Sequence, residues 1–154
     1  MKRESLTFLL RNVIREHFIR IHFLLGKLGL HKGQPPVLFM LWEEDGLTQK
    51  EIGENLKLRP ATVTVIITRM ERAGLVKREP DSRDMRVSRV FLTDKGIKIR
   101  QKVEEVYEYF EKDCFDNFNC EEKIWLQNLL NKLWNNLRTV NSENHEDARI
   151  GFPK

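Results

Sequence analysis

Cysteine is scarce: Cys114 and Cys120 are the only two in 154 residues. Two thiols make neither a disulfide framework nor a metal-ligand set. Four histidines, His17, His22, His31 and His145, are scattered without metal-site spacing. There is no glycine-rich phosphate loop and no nucleophile elbow. Acid pairs such as Glu43-Glu44 and Glu104-Glu105 are consecutive on helical patterns, so they face different directions and read as solvated charge. An enzyme is not expected, nor a metal or cofactor. No apolar run is long enough to cross a bilayer. The opening MKRESLTFLLRNVIREHF threads charge through its apolar positions and lacks an h-region and a small-residue cleavage site, so no signal peptide is expected. These absences lead us to expect a soluble cytoplasmic protein. The excess of Lys and Arg over Asp and Glu, 27 against 23, is mild, so a surface for a polyanion must come from clustering rather than from total charge.

What the chain does have is helical periodicity with clear punctuation. Leu6, Leu9, Leu10, Val13, Ile14, His17, Phe18, Ile21, Leu24, Leu25 and Leu28 recur at three-four spacing, which predicts a long first helix stopped by Gly29. Pro35-Pro36 suits a helix start, and that helix runs to Glu44 before Asp45-Gly46. Thr48-Gln49-Lys50-Glu51 is a capping box opening a short helix to about Leu56, with Ile52 and Leu56 inward. Pro60 opens the next, through Ala73 and stopped by Gly74, with Val63, Ile66, Ile67 and Met70 inward. Leu75–Arg78 and Val87–Leu92 read as two short strands. A fifth helix starts at Thr93-Asp94-Lys95-Gly96 and carries a stripe from Ile99 to Phe118, and a sixth carries Leu126, Leu129, Leu130, Leu133, Trp134 and Leu137. From Val140 the chain is polar and reads as a frayed tail.

Helix, turn, helix and hairpin make a winged helix-turn-helix layout. The expected fold is mainly α with a small β-hairpin wing. Residues 31–97 form the winged module, 1–30 and 98–140 supply flanking helices, and 141–154 are tail. The small winged module cannot cover three further apolar helices. They are expected to pack together and against a second copy, making a dimer. A closed monomeric bundle is the alternative.

Residues 33–96 resemble the winged core of MarR-type bacterial transcriptional regulators. LTQKEIGENL, then ATVT…RMERAGLVKR, then Asp-Ser-Arg-Asp-Met-Arg running into VFLTDKG carry the resemblance through their order and spacing. It implies a homodimer bound to a pseudo-palindromic operator in double-stranded DNA, usually as a repressor. The second helix of the motif would enter the major groove and the wing the adjacent minor groove. Many relatives release DNA when a small phenolic or otherwise aromatic effector binds between the DNA-binding and dimerisation parts, and others on cysteine oxidation. The family's best-known peroxide sensors place that cysteine near the start of the chain, where this sequence has none. Cys114 lies on an apolar stripe and reads as an inert small hydrophobe. Cys120, at a helix start, has the more activating environment. The alternative function is a winged module that docks protein without specific DNA binding, its hairpin serving as the docking edge.

The candidate DNA contacts are Arg59, Pro60, Ala61, Thr62, Thr64, Val65, Thr68 and Arg69 on the second helix of the motif, and Arg83, Asp84 and Arg86 on the wing. Thr hydroxyls can bond phosphates or base edges, while the methyls of Ala61 and Val65 can meet thymine methyls. An unbroken β-branched run from Thr62 to Thr68 is poor helix chemistry, so propensity does not account for its outward members. Arg59 stands where a Ser, Asp or Asn would cap the helix, and losing that cap costs about 1 kcal/mol, which points to a phosphate or guanine contact. Many relatives carry a basic residue where Val65 stands, so base preference does not transfer. In EPDSRDMRV, turn chemistry alone explains Pro, Asp and Ser. The resemblance adds a role: Asp84 and Arg86 match the family's wing pair, implying an arginine for the minor groove and an aspartate that fixes its direction. His17, His22 and Trp42 fall where an effector pocket would form, but aromatics on an apolar stripe are core by default.

Overall fold

Caps and turns set the element order in the structure, a computed structural model that describes residues 5–82 and 84–146. Ser5 caps the first helix, α1 (Leu6–Gly26), its hydroxyl accepting from the Phe8 N–H at 3.2 Å. This helix ends earlier than its apolar stripe. Gly29, at φ +75°, turns the chain back so that the Leu30 N–H reaches the Leu25 carbonyl at 3.1 Å. Then come α2 (Gln34–Glu43), β1 (Leu47–Thr48), α3 (Gln49–Leu56), α4 (Pro60–Arg72), β2 (Val76–Pro80), β3 (Ser88–Leu92), α5 (Asp94–Phe115) and α6 (Cys120–Glu146). The chain divides into two units, Met1–Glu111 and Lys112–Lys154.

In the first unit the sheet is antiparallel with order β1-β3-β2. β2 and β3 are the expected hairpin, registered from Val76 opposite Leu92 to Pro80 opposite Ser88. β1 is an addition: Leu47 and Thr48 pair with Val90 and Arg89. The core is built by α2, α3, α4 and the sheet. Val37, Leu38, Ile52, Val63, Ile67, Met70, Leu75 and Val90 are at most 2% exposed. α5 seats on Leu75, just ahead of β2, through Gly96, where an added Cβ would lie 2.1 Å from the Leu75 carbonyl oxygen. The Thr93 hydroxyl donates to the Gly74 carbonyl at 2.6 Å and accepts from the Gly96 N–H at 3.2 Å.

The capping box of α3 forms as expected. Thr48 Oγ1 accepts from the Glu51 N–H at 3.2 Å, and Glu51 Oε2 accepts from the Thr48 N–H at 2.7 Å. The Thr48 hydroxyl also donates to Glu51 Oε2 at 2.8 Å, and the backbone bond first and this hydroxyl bond next hold the Glu51 carboxyl below its ordinary value near 4.5. In the second unit, α6 continues past Val140 to Glu146, so the expected tail is helical that far, and residues 147–154 lie outside the described ones. Its large side chains Ile124, Trp125, Leu129, Leu130, Trp134, Leu137 and Val140 are exposed, with Leu126 and Leu133 half-buried. Neither Cys114 nor Cys120 is in a disulfide. No helix among the described residues is long and apolar enough to cross a membrane.

Two outcomes test this account. Because the folded pKa of Glu51 is lowered, its contribution to stability is present above the ordinary glutamate value and lost as pH falls through the lowered one. Glu51→Gln keeps the hydrogen-bond geometry without the charge, so wild type should be the more stable at neutral pH and the gap should close in acid, read by thermal unfolding across pH. Gly96→Ala should cost about 1–3 kcal/mol, since backbone must move to admit the methyl. A thermal midpoint unchanged from wild type would refute the close seat.

Candidate nucleic-acid interface

Pro60 starts α4 because its missing N–H is not needed there. Arg59 is the N-cap residue, offers no side-chain cap, and no acid stands in the first turn, so the start of the helix keeps its positive end uncompensated. Val63, Ile66, Ile67 and Met70 anchor the inner face. That leaves Arg59, Pro60, Ala61, Thr62, Thr64, Val65 and Arg69 exposed and Thr68 half-exposed. Two of the threonines are already engaged. The Thr64 hydroxyl lies 3.1 Å from Gln49 Oε1 and 3.0 Å from the Pro60 carbonyl, sharing its one proton between them. Thr68 Oγ1 accepts from Arg78 Nη2 at 3.1 Å, while Arg78 Nη1 pairs with Glu71 at 2.8 Å. Gln49, absent from the sequence-derived candidates, thus stands beside this face. Its signal was its place directly after the Thr48 cap.

The wing tip is knitted by aspartates, but not in the expected pairing. Asp84 Oδ1 accepts from the backbone N–H of Arg86 at 3.0 Å. It therefore fixes the backbone of Arg86 and not, among the described residues, its guanidinium. The carboxylate that grips an arginine side chain is Asp81, bonded to Nε of Arg89. Asp81 Oδ1 also accepts from the Asp84 N–H at 3.2 Å, and its own N–H donates to the Val87 carbonyl at 2.8 Å. Asp84, Met85 and Arg86 are left exposed at the tip, Met85 at 76%. Arg83 lies outside the described residues. Arg89 reaches further: its Nη1 donates to the Gly46 carbonyl at 2.9 Å and stands 3.9 Å from Glu51 Oε2. The bond to Asp81, foremost, raises the Arg89 pKa above its ordinary value.

The three pocket candidates separate. Trp42 is packing: its Nε1 donates to the Gly96 carbonyl at 2.9 Å and its ring meets Phe39 edge-on. His17 and His22, read as packing, instead line a cavity of about 310 Å³ with Lys32, Pro36, Leu58 and Tyr107. His22 Nδ1 lies 2.7 Å from the Phe18 carbonyl, which requires a proton on Nδ1. Burial pushes the Tyr107 phenol up, so it stays a protonated donor at neutral pH. Among the described residues no group of three or more His, Cys, Asp or Glu could hold a metal ion.

A family profile described as MarR family matches residues 30–88. The chain is 46% identical over 68 residues to the HTH-type transcriptional regulator TtmR of Methylorubrum extorquens (strain PA1), a match spanning 44% of this chain and 35% of that protein. It is 36% identical over 107 residues to the organic hydroperoxide resistance transcriptional regulator of Bacillus subtilis (strain 168), covering 69% of this chain and 73% of the relative. Among solved structures, a mutant of S. aureus MepR bound to an oligodeoxyribonucleotide superposes with TM-score 0.61 at 26% identity, over 86% of this chain and 98% of that one.

Proposed function

The chain belongs to the MarR family of DNA-binding transcriptional regulators, and we propose that it acts as a homodimeric repressor on a pseudo-palindromic operator. The observation that carries this reading is the division of α4. Its four anchors face the core, and its free face presents Ala61, Thr62, Thr64 and Val65 behind a basic, acid-free start. Such a face suits the major groove, with Arg59 and Arg69 toward phosphates and the methyls toward thymine. The wing then brings Arg86 to the adjacent minor groove. That the S. aureus MepR mutant was solved bound to an oligodeoxyribonucleotide supports DNA as the partner.

The exposed apolar face of α6 supports the dimer, because indole and leucine surface in water forgoes about 25 cal/mol per Å² that a second copy would recover. α1 adds Leu9, Val13, Phe18 and Phe23, also exposed in the single chain. The cavity beside His17 and His22 supports release by a small effector. An apolar chamber with a lysine and a phenol donor suits a phenolic or aromatic acid.

Specific binding should weaken steeply with salt, as phosphate contacts release counterions, whereas a module that docks protein would show no such slope on DNA. Against duplexes selected from random DNA by the protein itself, Asp84→Ala should weaken binding in the same direction as Arg86→Ala. The lost Asp84 bond frees the Arg86 backbone, and re-ordering that residue costs up to about 2 kcal/mol. Tighter binding by Asp84→Ala in gel-shift titrations at fixed salt would reduce its role to turn chemistry. Leu130→Asp should convert a dimer to monomer in sedimentation at micromolar concentration and abolish specific binding, while the winged module keeps its unfolding transition.

A further inference from the structure

A two-stranded ribbon is pliant, so a wing that delivers one guanidinium to a groove needs something to fix its direction. Asp81, 8% exposed, is the one acidic side chain buried among the described residues. A buried carboxylate is costly unless paired, and an apolar pair of similar shape would serve packing as well or better. What an ion pair adds is geometry. Asp81 holds the tip through the Asp84 N–H at 3.2 Å and grips Nε of Arg89. The same guanidinium bonds the Gly46 carbonyl at 2.9 Å, just ahead of β1, and lies 3.9 Å from the Glu51 carboxylate that caps α3. One planar fork therefore bonds the wing tip and Gly46 ahead of β1, and comes within 3.9 Å of the carboxylate that caps α3. Lysine, a single point donor, could not span those acceptors at once.

We propose that Asp81 and Arg89 are positioning residues for DNA binding, locking the wing to Gly46 beside the α3 cap so that Arg86 meets the minor groove while α4 occupies the major groove. They act through Arg86 and touch no base themselves. This rests on the wing reading above, and the test separates the two.

Full-length wild type, Arg86→Ala, Arg89→Ala, Arg89→Lys and Asp81→Asn, and the double variant Arg86→Ala/Arg89→Ala, are titrated against a duplex selected by the wild type. Hydroxyl-radical footprints and thermal midpoints are taken for each. Arg89→Ala and Asp81→Asn should each weaken binding and erase the wing's minor-groove protection while leaving the major-groove contacts in place. The double variant should be no more than about twofold weaker than Arg86→Ala alone, since groups acting as one unit do not add. Arg89→Lys should fall between wild type and Arg89→Ala, and it carries the comparison if the alanine variant does not fold. A merely structural role would lower both groove protections together and multiply with Arg86→Ala. Either of those results, or an intact wing footprint in Arg89→Ala, overturns the proposal. If Arg86→Ala binds and footprints like wild type, the wing reading itself falls and this proposal with it.

Discussion

Burial of Val63, Ile66, Ile67 and Met70 decides which way α4 faces, and the neighbouring elements of the winged module take their places around that choice. These four anchors recur at helical spacing, so one face is committed to the core and the other cannot be. α3 packs beside them with Ile52, closed at its start by the Thr48–Glu51 box, and Leu75 with Val76 of β2 and Val90 of β3 completes the enclosure. The β-branched run that disfavours an isolated helix is tolerated because half of it is buried and the other half is outward, where propensity alone would have placed better helix formers.

Around that helix the polar interactions sort into two kinds. Some tie elements together: Arg78 joins β2 to α4 through Thr68 and Glu71, and Trp42 joins α2 to α5 at Gly96. Others shape the wing, where Asp81 and Asp84 each arrest backbone and Arg89 returns the strand to Gly46. The first kind reduces the freedom of α4 relative to the sheet. The second leaves Arg86 exposed on a tip whose backbone is fixed, so a contact made there would incur less ordering entropy than one made from a loose loop.

Much of this was legible in the residues. The capping box, the Pro60 start and the four inward positions of α4 follow from local rules that the tertiary structure had no reason to override. So did the mainly helical winged fold and the family. Four features were not. β1 has two residues, too few to show a period of two, and exists because β3 offers it an edge. The partner of Arg89 could not be chosen from a tip that alternates acid and base, since the choice depends on hairpin register. A helical stripe that takes in His17 does not say whether it and the nearby His22 meet atoms or space. α6 outruns Val140 because polar residues can extend an established helix at little cost once it is nucleated.

The uncovered face of α6 matters before any DNA is met. From the moment that helix leaves the ribosome, a solitary chain displays Trp125, Leu129, Leu130 and Trp134 to chaperones and proteases. Its survival then depends on how soon another surface covers them, and that is a matter of encounter rate. With a second copy as the cover, the lifetime of each molecule rises with the number of its siblings, and the stability of the fold becomes a function of expression level.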